Sequence, residues 1–436
     1  MNARKAALDI LTRCERSGQY SNLALDSTIK KNDLSEPDRA LLTSLSYGVI
    51  EKKITLDYII DSLSRSPEKT DSDVRNVLRL GLYQLIYLDR IPPHAAVNES
   101  VSLCKNRAAA SYVNAVLRSY IREGEKISFP DKDADFALYL SVKYSVAKWI
   151  CRKLADEYGY DEAEACLAAL SSPSAPTLRV NTLKTNRAAL AKKLCDGGFA
   201  VKECPHSDFG LSLLSSAPIS ALPGFTEGEF YVEDEASHIC VKALDPMPGK
   251  KLLDACACPG GKSFSAAIEM KNEGRVCSFD LHKSKLSLIS DGAARLGIDI
   301  IETREQDGRV FLPEYEGYFD RVLCDVPCSG LGVMAKKPEI RYKDENAAAA
   351  LPDIQLAILK NCGRYLKAGG VLVYSTCTVQ KEENENIIAR HLASSCEFAP
   401  LDFSVGGLSS HDGMLTLLPH KHGTDGFFIA KLQKRT

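Results

Sequence analysis

Apolar residues recur at helical spacing through the first part of the chain. Within Val74–Leu88, the apolar positions 74, 77, 78, 82, 85 and 86 fall on one face of a helix. Similar patterns continue to about residue 125, so residues 1–125 are predicted to form an all-α helix bundle. The first of these helices begins within the opening residues, which are charged and amphipathic.

A second pattern begins after the Ser- and Pro-rich loop of residues 171–176. The run Thr177–Asn181 reads as a strand, and Arg187–Leu194 reads as a helix. Residues 126–240 are therefore predicted to be a small α+β connector.

Short apolar runs then alternate with helical segments after Pro246–Gly249. The predicted strands cover residues 251–254, 275–280, 299–302, 319–325 and 370–375. Strand and helix in alternation are typical of a doubly wound parallel sheet. Residues 241–436 are therefore predicted to be an α/β Rossmann-like domain, which makes the protein multidomain.

Two cysteines occur where buried strands of this domain should end. Cys328 lies in the segment Asp325-Val-Pro-Cys-Ser-Gly330, and Cys377 lies in Tyr374-Ser-Thr-Cys-Thr378. Open α/β sheets bind ligands at the carboxyl ends of their strands, so both thiols are expected to face one pocket. A thiolate is a strong nucleophile, and two thiols beside an aspartate suit covalent addition to an electron-poor ring.

Most of the 15 cysteines need no chemical role, because free cysteine often packs as a small apolar residue. Cysteines 14, 104, 151, 166, 195, 240 and 362 lie in apolar helical patterns and are predicted to be packing residues. Cys256 and Cys258 are too closely spaced for a zinc knuckle, and no partner pair follows at finger spacing. No metal site is predicted.

A glycine loop, Cys256-Ala257-Cys258-Pro259-Gly260-Gly261-Lys262, follows the first strand of the α/β domain. It nearly matches a phosphate-binding loop, but Cys256 replaces the first glycine and Pro259 removes an amide donor. Its glycines still allow close approach of a ligand to the backbone. A triphosphate is therefore disfavoured.

Three acids lie at successive strand ends beyond this loop. Asp280 is placed to accept hydrogen bonds from a ribose, and Asp307 and Asp325 end the strands that follow. With the glycine loop, these acids predict a site for an adenosyl ligand without a polyphosphate tail.

Composition and charge narrow the class of protein further. The chain has 436 residues, 45% hydrophobic and 26% charged, as in soluble globular proteins. No run approaches the roughly 18 apolar residues of a membrane span, and the first residues lack a signal-type apolar core. We expect a cytoplasmic protein with reduced thiols. A net charge of −2 means that any nucleic-acid surface is local.

The combination of motifs resembles the S-adenosylmethionine-dependent RNA cytosine-C5 methyltransferases. The Pro-Gly-Gly-Lys loop, the Asp-x-Pro-Cys-Ser-Gly segment and the Ser-Thr-Cys-Thr segment carry the likeness, in the family's order. The N-terminal segments resemble the NusB-like RNA-binding domain of the RsmB (Sun/Fmu) enzymes. Five further segments match the family: Arg79–Gln84, Pro92–Asn98, Tyr112–Arg118, Arg179–Lys184 and Val232–Ser237.

The resemblance implies a class I methyltransferase that uses S-adenosyl-L-methionine to modify a cytosine of 16S ribosomal RNA. The RNA substrate is expected to be free or in early assembly, and the protein a monomer. Residues 256–262 with Asp280, Asp307 and Asp325 would bind the cofactor.

The chemistry of cytosine and the family resemblance together suggest roles for four residues. Carbon 5 is a poor nucleophile, so a thiolate that adds at carbon 6 activates it. The family suggests Cys377 for this addition and Cys328 for resolution of the adduct. Asp325 would bind the exocyclic amine or N3. Lys262 lies near the cofactor carboxylate and is also placed to lower the pKa of a neighbouring thiol.

Three positions depart from the family pattern: Cys258 and Ala335 replace a common alanine and a common arginine, and Lys381 replaces a proline. Lys336 and Lys337 are expected to compensate for the arginine in binding RNA phosphates. The target base must be splayed into the pocket while the helical domain holds flanking RNA. Candidate basic contacts, each also explained as a solvated helix charge, are Arg4, Lys5, Arg75, Arg79, Arg118 and Arg122.

Two other readings remain open. One keeps the chemistry but changes the substrate to transfer RNA, another ribosomal site or DNA. The other is a non-catalytic NusB-like RNA-binding protein, which the intact cysteine pair disfavours. An amino-methyltransferase is disfavoured because Pro327-Cys328 occupies the place of a Pro-Pro-aromatic segment.

Overall fold

The computed structural model describes residues 2–17, 21–32 and 34–436. The chain forms two compact units. The first contains the described residues up to Ser171 together with Lys337–Lys343, and the second contains Ser172–Lys336 and Asp344–Thr436. Among the described residues, no helix is long and apolar enough to cross a membrane.

The described residues of the first unit form ten α-helices, and the seven within residues 1–125 confirm the predicted helix bundle. The ten helices are α1 Ala3–Ser17, α2 Ser21–Lys31, α3 Glu36–Glu51, α4 Lys53–Leu63, α5 Ser72–Tyr87, α6 Pro93–Ser102, α7 Arg107–Glu123, α8 Phe136–Tyr144, α9 Lys148–Tyr158 and α10 Tyr160–Leu170. Side-chain caps define several starts: Asp71 accepts from Asp73 N at α5, and Asn106 accepts from Ala109 N at α7. The apolar faces of α1 to α7 form one core.

Arg79 is buried inside this unit, so the prediction that it contacts RNA is wrong, and Arg75 is half-buried and paired with acids. Arg79 is 5% exposed, and its Nε and Nη2 donate to the two carboxylate oxygens of Asp57 at 2.7 and 2.8 Å. It also pairs with Glu15 of α1. Arg75, one turn earlier on α5, pairs with Asp57 and Asp61. The two guanidiniums neutralise acids of neighbouring helices and are not solvated charges.

The segment Lys337–Lys343 is distant in sequence from the helices but packs among them. Arg341 is 1% exposed and donates to Tyr144 O at 3.0 Å and to Leu170 O at 2.9 Å. The Tyr342 hydroxyl accepts from Lys53 N at 3.1 Å. Because these bonds satisfy backbone groups at helix ends, the segment is part of the helical core.

The second unit begins with a four-stranded antiparallel sheet. Its elements are β1 Thr177–Val180, α11 Arg187–Asp196, β2 Val201–Glu203, β3 Gly210–Leu213 and β4 Phe230–Val232. The strand order is β2-β3-β1-β4. Residues 126–170 of the predicted connector lie in the first unit, and from Phe136 onward they form α8, α9 and α10. The boundaries at 125/126 and 240/241 stay a prediction.

The remaining elements build the large mixed sheet and its covering helices. They are α12 Glu235–Leu244, β5 Lys251–Asp254, α13 Gly261–Glu269, β6 Arg275–Asp280, α14 Leu286–Leu296, β7 Ile301–Glu305, β8 Phe319–Asp325, α15 Glu345–Ala349, α16 Leu351–Tyr365, β9 Leu366–Thr376, α17 Glu385–Ser394, β10 Phe398–Pro400, β11 Ser404–Val405, β12 Leu408–Ser409, β13 Met414–Leu417, α18 Pro419–His422 and β14 Phe427–Lys434. The order is β10-β14-β9-β8-β5-β6-β7, with β13 paired to β14.

Strands β9, β8, β5, β6 and β7 are parallel, and β14 runs antiparallel to β9. The predicted doubly wound domain is confirmed. One strand begins later than predicted, at Ile301 instead of Asp299, because the Asp299 amide bonds the Asn272 side chain at 2.9 Å. Cys195 is exposed, so its predicted packing role is wrong.

Candidate active site

Parallel strands β8 and β9 end side by side, and their last residues form the centre of the site. Asp325 and Ser375 are paired in register, and the Ser375 hydroxyl donates to Asp325 Oδ1 at 2.7 Å. Lys262, in the first turn of α13, donates to Asp325 Oδ2 at 2.8 Å. Both carboxylate oxygens of Asp325 therefore have a fixed donor.

The structure places the two predicted thiols next to each other. Cys328 lies three residues beyond β8, Cys377 lies directly beyond β9, and their Sγ atoms are 3.3 Å apart. The hydrogen bond with Cys377 and burial raise the pKa of the Cys328 thiol well above its ordinary value. A raised pKa leaves Cys328 protonated at neutral pH.

The sequence predicted that Lys262 lowers the pKa of a neighbouring thiol. The thiol on which its charge acts in this way is Cys240, whose pKa burial nevertheless raises to about 12. Burial alone would lower the pKa of Lys262, but the Asp325 carboxylate raises it above its usual range. Lys262 thus stays an ammonium group paired with Asp325. Its positive charge is directed to the carboxylate and the predicted cofactor loop.

The glycine loop packs closely against other side chains of the protein. Gly260 has φ +111°, and a Cβ there would lie 2.6 Å from the Phe264 ring. A Cβ on Gly261 would lie 2.9 Å from Glu233 Oε1. Cys258, which departs from the family pattern, donates through Sγ to Lys285 O at 3.4 Å. Side chains at either glycine would displace the loop.

Asp280 ties this loop to the end of β6. Its Oδ2 accepts from Cys258 N at 3.1 Å, and its Oδ1 accepts from His282 N at 3.0 Å. Each carboxylate oxygen retains a second lone pair for a hydroxyl donor. Asp280 can therefore hold the loop and a ribose together.

Asp307 lies two residues beyond β7 and is engaged by Arg309. The Arg309 guanidinium donates to both Asp307 oxygens at 2.6 to 3.1 Å. These hydrogen bonds lower the pKa of Asp307. A ligand at Asp307 would share the carboxylate with Arg309.

Lys336 was expected to contact RNA, and the structure contradicts this. Its Nζ donates to Asp234 Oδ2 at 2.6 Å and to Asp425 Oδ2 at 2.7 Å. The lysine joins the start of α12 to the turn before β14. An ammonium group held by two carboxylates is not available to a phosphate.

Sequence reasoning missed Asp254, the last residue of β5. It is 1% exposed, and its Oδ2 accepts from the Ser263 hydroxyl at 2.7 Å. Burial raises the pKa of Asp254 to about 7. The signal was present, because Asp254 ends a strand just before the glycine loop, as the three predicted acids end theirs.

Asp254→Asn is expected to stabilise the protein at pH 8 but not at pH 5. The raised pKa means that the folded state binds a proton more tightly than the unfolded state does. The resulting stability is present near pH 4 and is lost as pH rises through 7, by on the order of 3 kcal/mol. Thermal unfolding of both proteins at the two pH values measures this. An equal difference in Tm at pH 5 and pH 8 would contradict the assignment.

Across the described residues 2–17, 21–32 and 34–436, no three His, Cys, Asp or Glu side chains are arranged to hold a metal ion. The arrangement comprises a glycine loop after β5, acids at successive strand ends and two adjacent thiols. A Rossmann-like sheet that gathers these groups at the carboxyl ends of its strands fits the class of S-adenosylmethionine-dependent methyltransferases that the sequence motifs resemble.

Comparisons with known proteins support a methyltransferase with a NusB-like N-terminal part. Residues 241–433 match the family model of the 16S rRNA methyltransferase RsmB/F, residues 1–122 match the NusB family, and residues 146–220 match the ferredoxin-like domain of RsmF/B-like methyltransferases. The probable ribosomal RNA small subunit methyltransferase B of Bacillus subtilis is 40% identical over 100% of this chain and 99% of the relative.

Two solved structures are similar in fold. The crystal structure of PH0851 has a TM-score of 0.84 and 27% identity, and it covers 99% of this chain and 98% of that one. A methyltransferase homologue from Pyrococcus horikoshii has a TM-score of 0.61 and 29% identity, covering 69% of this chain and 99% of that one.

The chain belongs to the ribosomal RNA small subunit methyltransferase B family. It is an rRNA methyltransferase, and its methyl donor is S-adenosyl-L-methionine.

Proposed function

We propose that this protein methylates carbon 5 of a specific cytosine in 16S ribosomal RNA through a covalent adduct of Cys377 with carbon 6. The observation that carries the proposal is the 3.3 Å contact between the Sγ atoms of Cys377 and Cys328 beside the Asp325–Lys262 pair. A methyltransferase that acts on a nitrogen or oxygen nucleophile needs no thiol.

Each residue then has one task. The Cys377 thiolate adds to carbon 6, and the resulting enamine attacks the sulfonium methyl group from carbon 5. Asp325 binds the exocyclic amine or N3 as the charge of the ring changes, and Lys262 and Ser375 fix this carboxylate. After transfer, the carbon 5 proton passes to a water molecule, its electron pair re-forms the double bond between carbons 5 and 6, and the bond from carbon 6 to sulfur breaks to return the Cys377 thiolate. Cys328 assists this resolution.

Residues 256–262 with Asp280, Asp307 and Asp325 would hold the cofactor, and Asp280 would accept hydrogen bonds from its ribose. The chain's own residues fit this ligand, because the loop glycines exclude side chains and Asp280 keeps acceptor capacity. Lys262 lies at the start of α13, where a carboxylate of the ligand is favoured by charge and by the helix dipole.

The RNA would be held by the helical unit, free or early in subunit assembly, with the protein acting as a monomer. Of the predicted basic contacts, Lys5, Arg118 and Arg122 are exposed. Arg118 and Arg122 lie on α7, and Arg4 donates instead to Gln84 Oε1 at 2.7 Å. The surface of α7 is therefore the strongest candidate for a phosphate contact.

The proposed function is tested with the purified protein, S-adenosyl-L-methionine and 16S rRNA. Bisulfite sequencing reads 5-methylcytosine directly, and we expect one protected cytosine that appears only with enzyme and cofactor. Transfer RNA and DNA are assayed in parallel. If only transfer RNA or only DNA is methylated, that nucleic acid is the substrate instead of 16S rRNA. A methyl group on a nitrogen or oxygen atom would refute the cysteine mechanism.

Asp280→Ala is expected to weaken binding of S-adenosyl-L-methionine at least tenfold, about 1.4 kcal/mol. The variant loses the ribose contact and the bond that ties Cys258 N to β6. Isothermal calorimetry measures the change. Asp299→Ala, an acid at the opposite end of the neighbouring strand, serves as the control. Equal affinities for Asp280→Ala and the unmodified protein would refute the ribose assignment.

A further inference from the structure

Two consecutive buried residues, Glu383 and Asn384, lie behind the thiols. Glu383 ends the 3-10 turn Lys381–Glu383, and Asn384 precedes α17. Their exposed fractions are 1% and 0%. Each contacts a different thiol-bearing segment, here called the Cys328 loop (residues 326–330) and the Cys377 loop (residues 376–378).

Glu383 fixes the Cys328 loop from both sides of the thiol. Its Oε2 accepts from Ser329 N at 2.8 Å and from Gln355 Nε2 at 2.8 Å. The same Gln355 nitrogen donates to Pro327 O at 3.0 Å. The residues before and after Cys328 are therefore tied to one carboxylate, directly or through Gln355 of α16.

Asn384 fixes the Cys377 loop in the same manner. Its Oδ1 accepts from the Thr376 hydroxyl at 2.6 Å, and its Nδ2 donates to Thr378 O at 3.1 Å. These are the residues before and after Cys377. A hydrogen bond of 2.8 Å from the Ser329 hydroxyl to the Thr378 hydroxyl joins the two loops.

Burial of a carboxylate is costly unless hydrogen bonds compensate for the loss of water. Both hydrogen bonds to Glu383 Oε2 come from the Cys328 loop or from the Gln355 side chain that binds this loop. Because both loops follow strands that are already paired, a rigid connection between Glu383 and Asn384 limits how far one thiol can move from the other.

We propose that Glu383 and Asn384 are positioning residues that set the separation of the two thiols, Glu383 through the Cys328 loop and Asn384 through the Cys377 loop. This inference rests on the proposed cysteine mechanism. Since each residue serves a different thiol, their loss affects different steps. Glu383 acts on resolution of the adduct, and Asn384 acts on its formation.

Charge adds to the role of Glu383. The hydrogen bond with Cys377 and burial are the largest causes of the raised pKa of Cys328. The negative charge of Glu383 is a smaller cause that acts in the same direction. Removing that charge lowers the pKa of this thiol. A purely structural role would leave the titration of Cys328 unchanged.

The test compares Glu383→Gln and Asn384→Ala in the full-length protein. For Glu383→Gln we expect kcat to fall at least tenfold with unchanged KM for S-adenosyl-L-methionine. Its methylated RNA should accumulate as a denaturant-resistant adduct, and alkylation of Cys328 should titrate at lower pH. Rescue by Glu383→Asp should be partial.

Asn384→Ala should instead form adduct slowly. RNA that carries 5-fluorocytosine at the target traps the adduct, because fluorine cannot leave carbon 5 as a cation. We expect trapping at least ten times slower than in the unmodified protein, without accumulation on normal RNA. Thermal unfolding and cofactor calorimetry check that each variant is folded. Where Glu383→Gln fails to fold, Gln355→Met removes one of the same hydrogen bonds.

Glu382→Gln is the matched control, because Glu382 is the exposed neighbour of Glu383. If Glu383→Gln and Asn384→Ala behave like Glu382→Gln, the positioning role is wrong. It is also wrong if both variants lose the same step, since that indicates a general disturbance. Absence of 5-methylcytosine or trapped adduct with the unmodified protein would refute the proposed function itself.

Discussion

Cys377→Ala is expected to abolish methyl transfer and to leave no covalent protein–RNA adduct. No thiolate then remains to add at carbon 6, and carbon 5 of an unactivated cytosine does not attack the methyl group. The neighbouring thiol is not expected to take over: the variant removes the hydrogen bond with Cys377, but burial and the charges of Glu383 and Asp325 still raise the pKa of Cys328. Radiolabelled methyl transfer and a denaturing gel measure both outcomes.

Cys328→Ala is the matched variant, since its Sγ lies 3.3 Å from that of Cys377. Attack by Cys377 remains possible while resolution is impaired. Methylated RNA should therefore stay attached to the protein as a denaturant-resistant band in this variant alone. The reverse pattern, a band in Cys377→Ala and none in Cys328→Ala, would assign the nucleophile to the segment after β8.

Asp325→Asn is expected to reduce kcat by about 100-fold or more, because the carboxylate faces the developing charge of the ring. The variant also leaves the Lys262 ammonium without its 2.8 Å partner. Loss of one partner of a fully buried pair costs about 3–5 kcal/mol. With the Asp325 side chain 25% exposed, we expect about 2 kcal/mol in the free energy of unfolding.

The double variant Asp325→Asn, Lys262→Met separates the two effects. Removing both charges eliminates the unpaired ammonium and should restore much of the stability. Activity should remain low, since neither residue can then act on the base or the cofactor. Denaturant unfolding and single-turnover methylation measure the two quantities. Recovery of activity in the double variant would show that Asp325 serves only to neutralise Lys262.

Local pattern predicted the parts of the fold that depend on nearby residues. The strands at 251–254, 275–280 and 319–325 were placed to the residue, because buried parallel strands are continuous apolar runs. The antiparallel edge formed by β10, β13 and β14 was not predicted. The pairing of an edge strand depends on which strand lies beside it in the folded sheet. The alternation of apolar and polar residues along such strands is therefore a weaker signal.

Partners distant in sequence explain the remaining errors. Arg79 and Lys336 both read as solvated basic residues, yet each neutralises acids that other elements bring to it. Cys328 and Cys377 were found because each motif is complete within a few residues. Glu383 lies six residues after Cys377, but its partner Ser329 belongs to another strand end, so only the structure connects them.

Lys337–Lys343 have a consequence for the order of folding during synthesis. Tyr144 O and Leu170 O receive their hydrogen bonds from Arg341, which is translated only after all of Ser172–Lys336. Domains usually fold as they emerge, N-terminal first, and contacts of high sequence separation form late. On the ribosome the carbonyls at the ends of α8 and α10 therefore receive these bonds late. By then β5 to β8, four of the eight strands of the large sheet, have been translated.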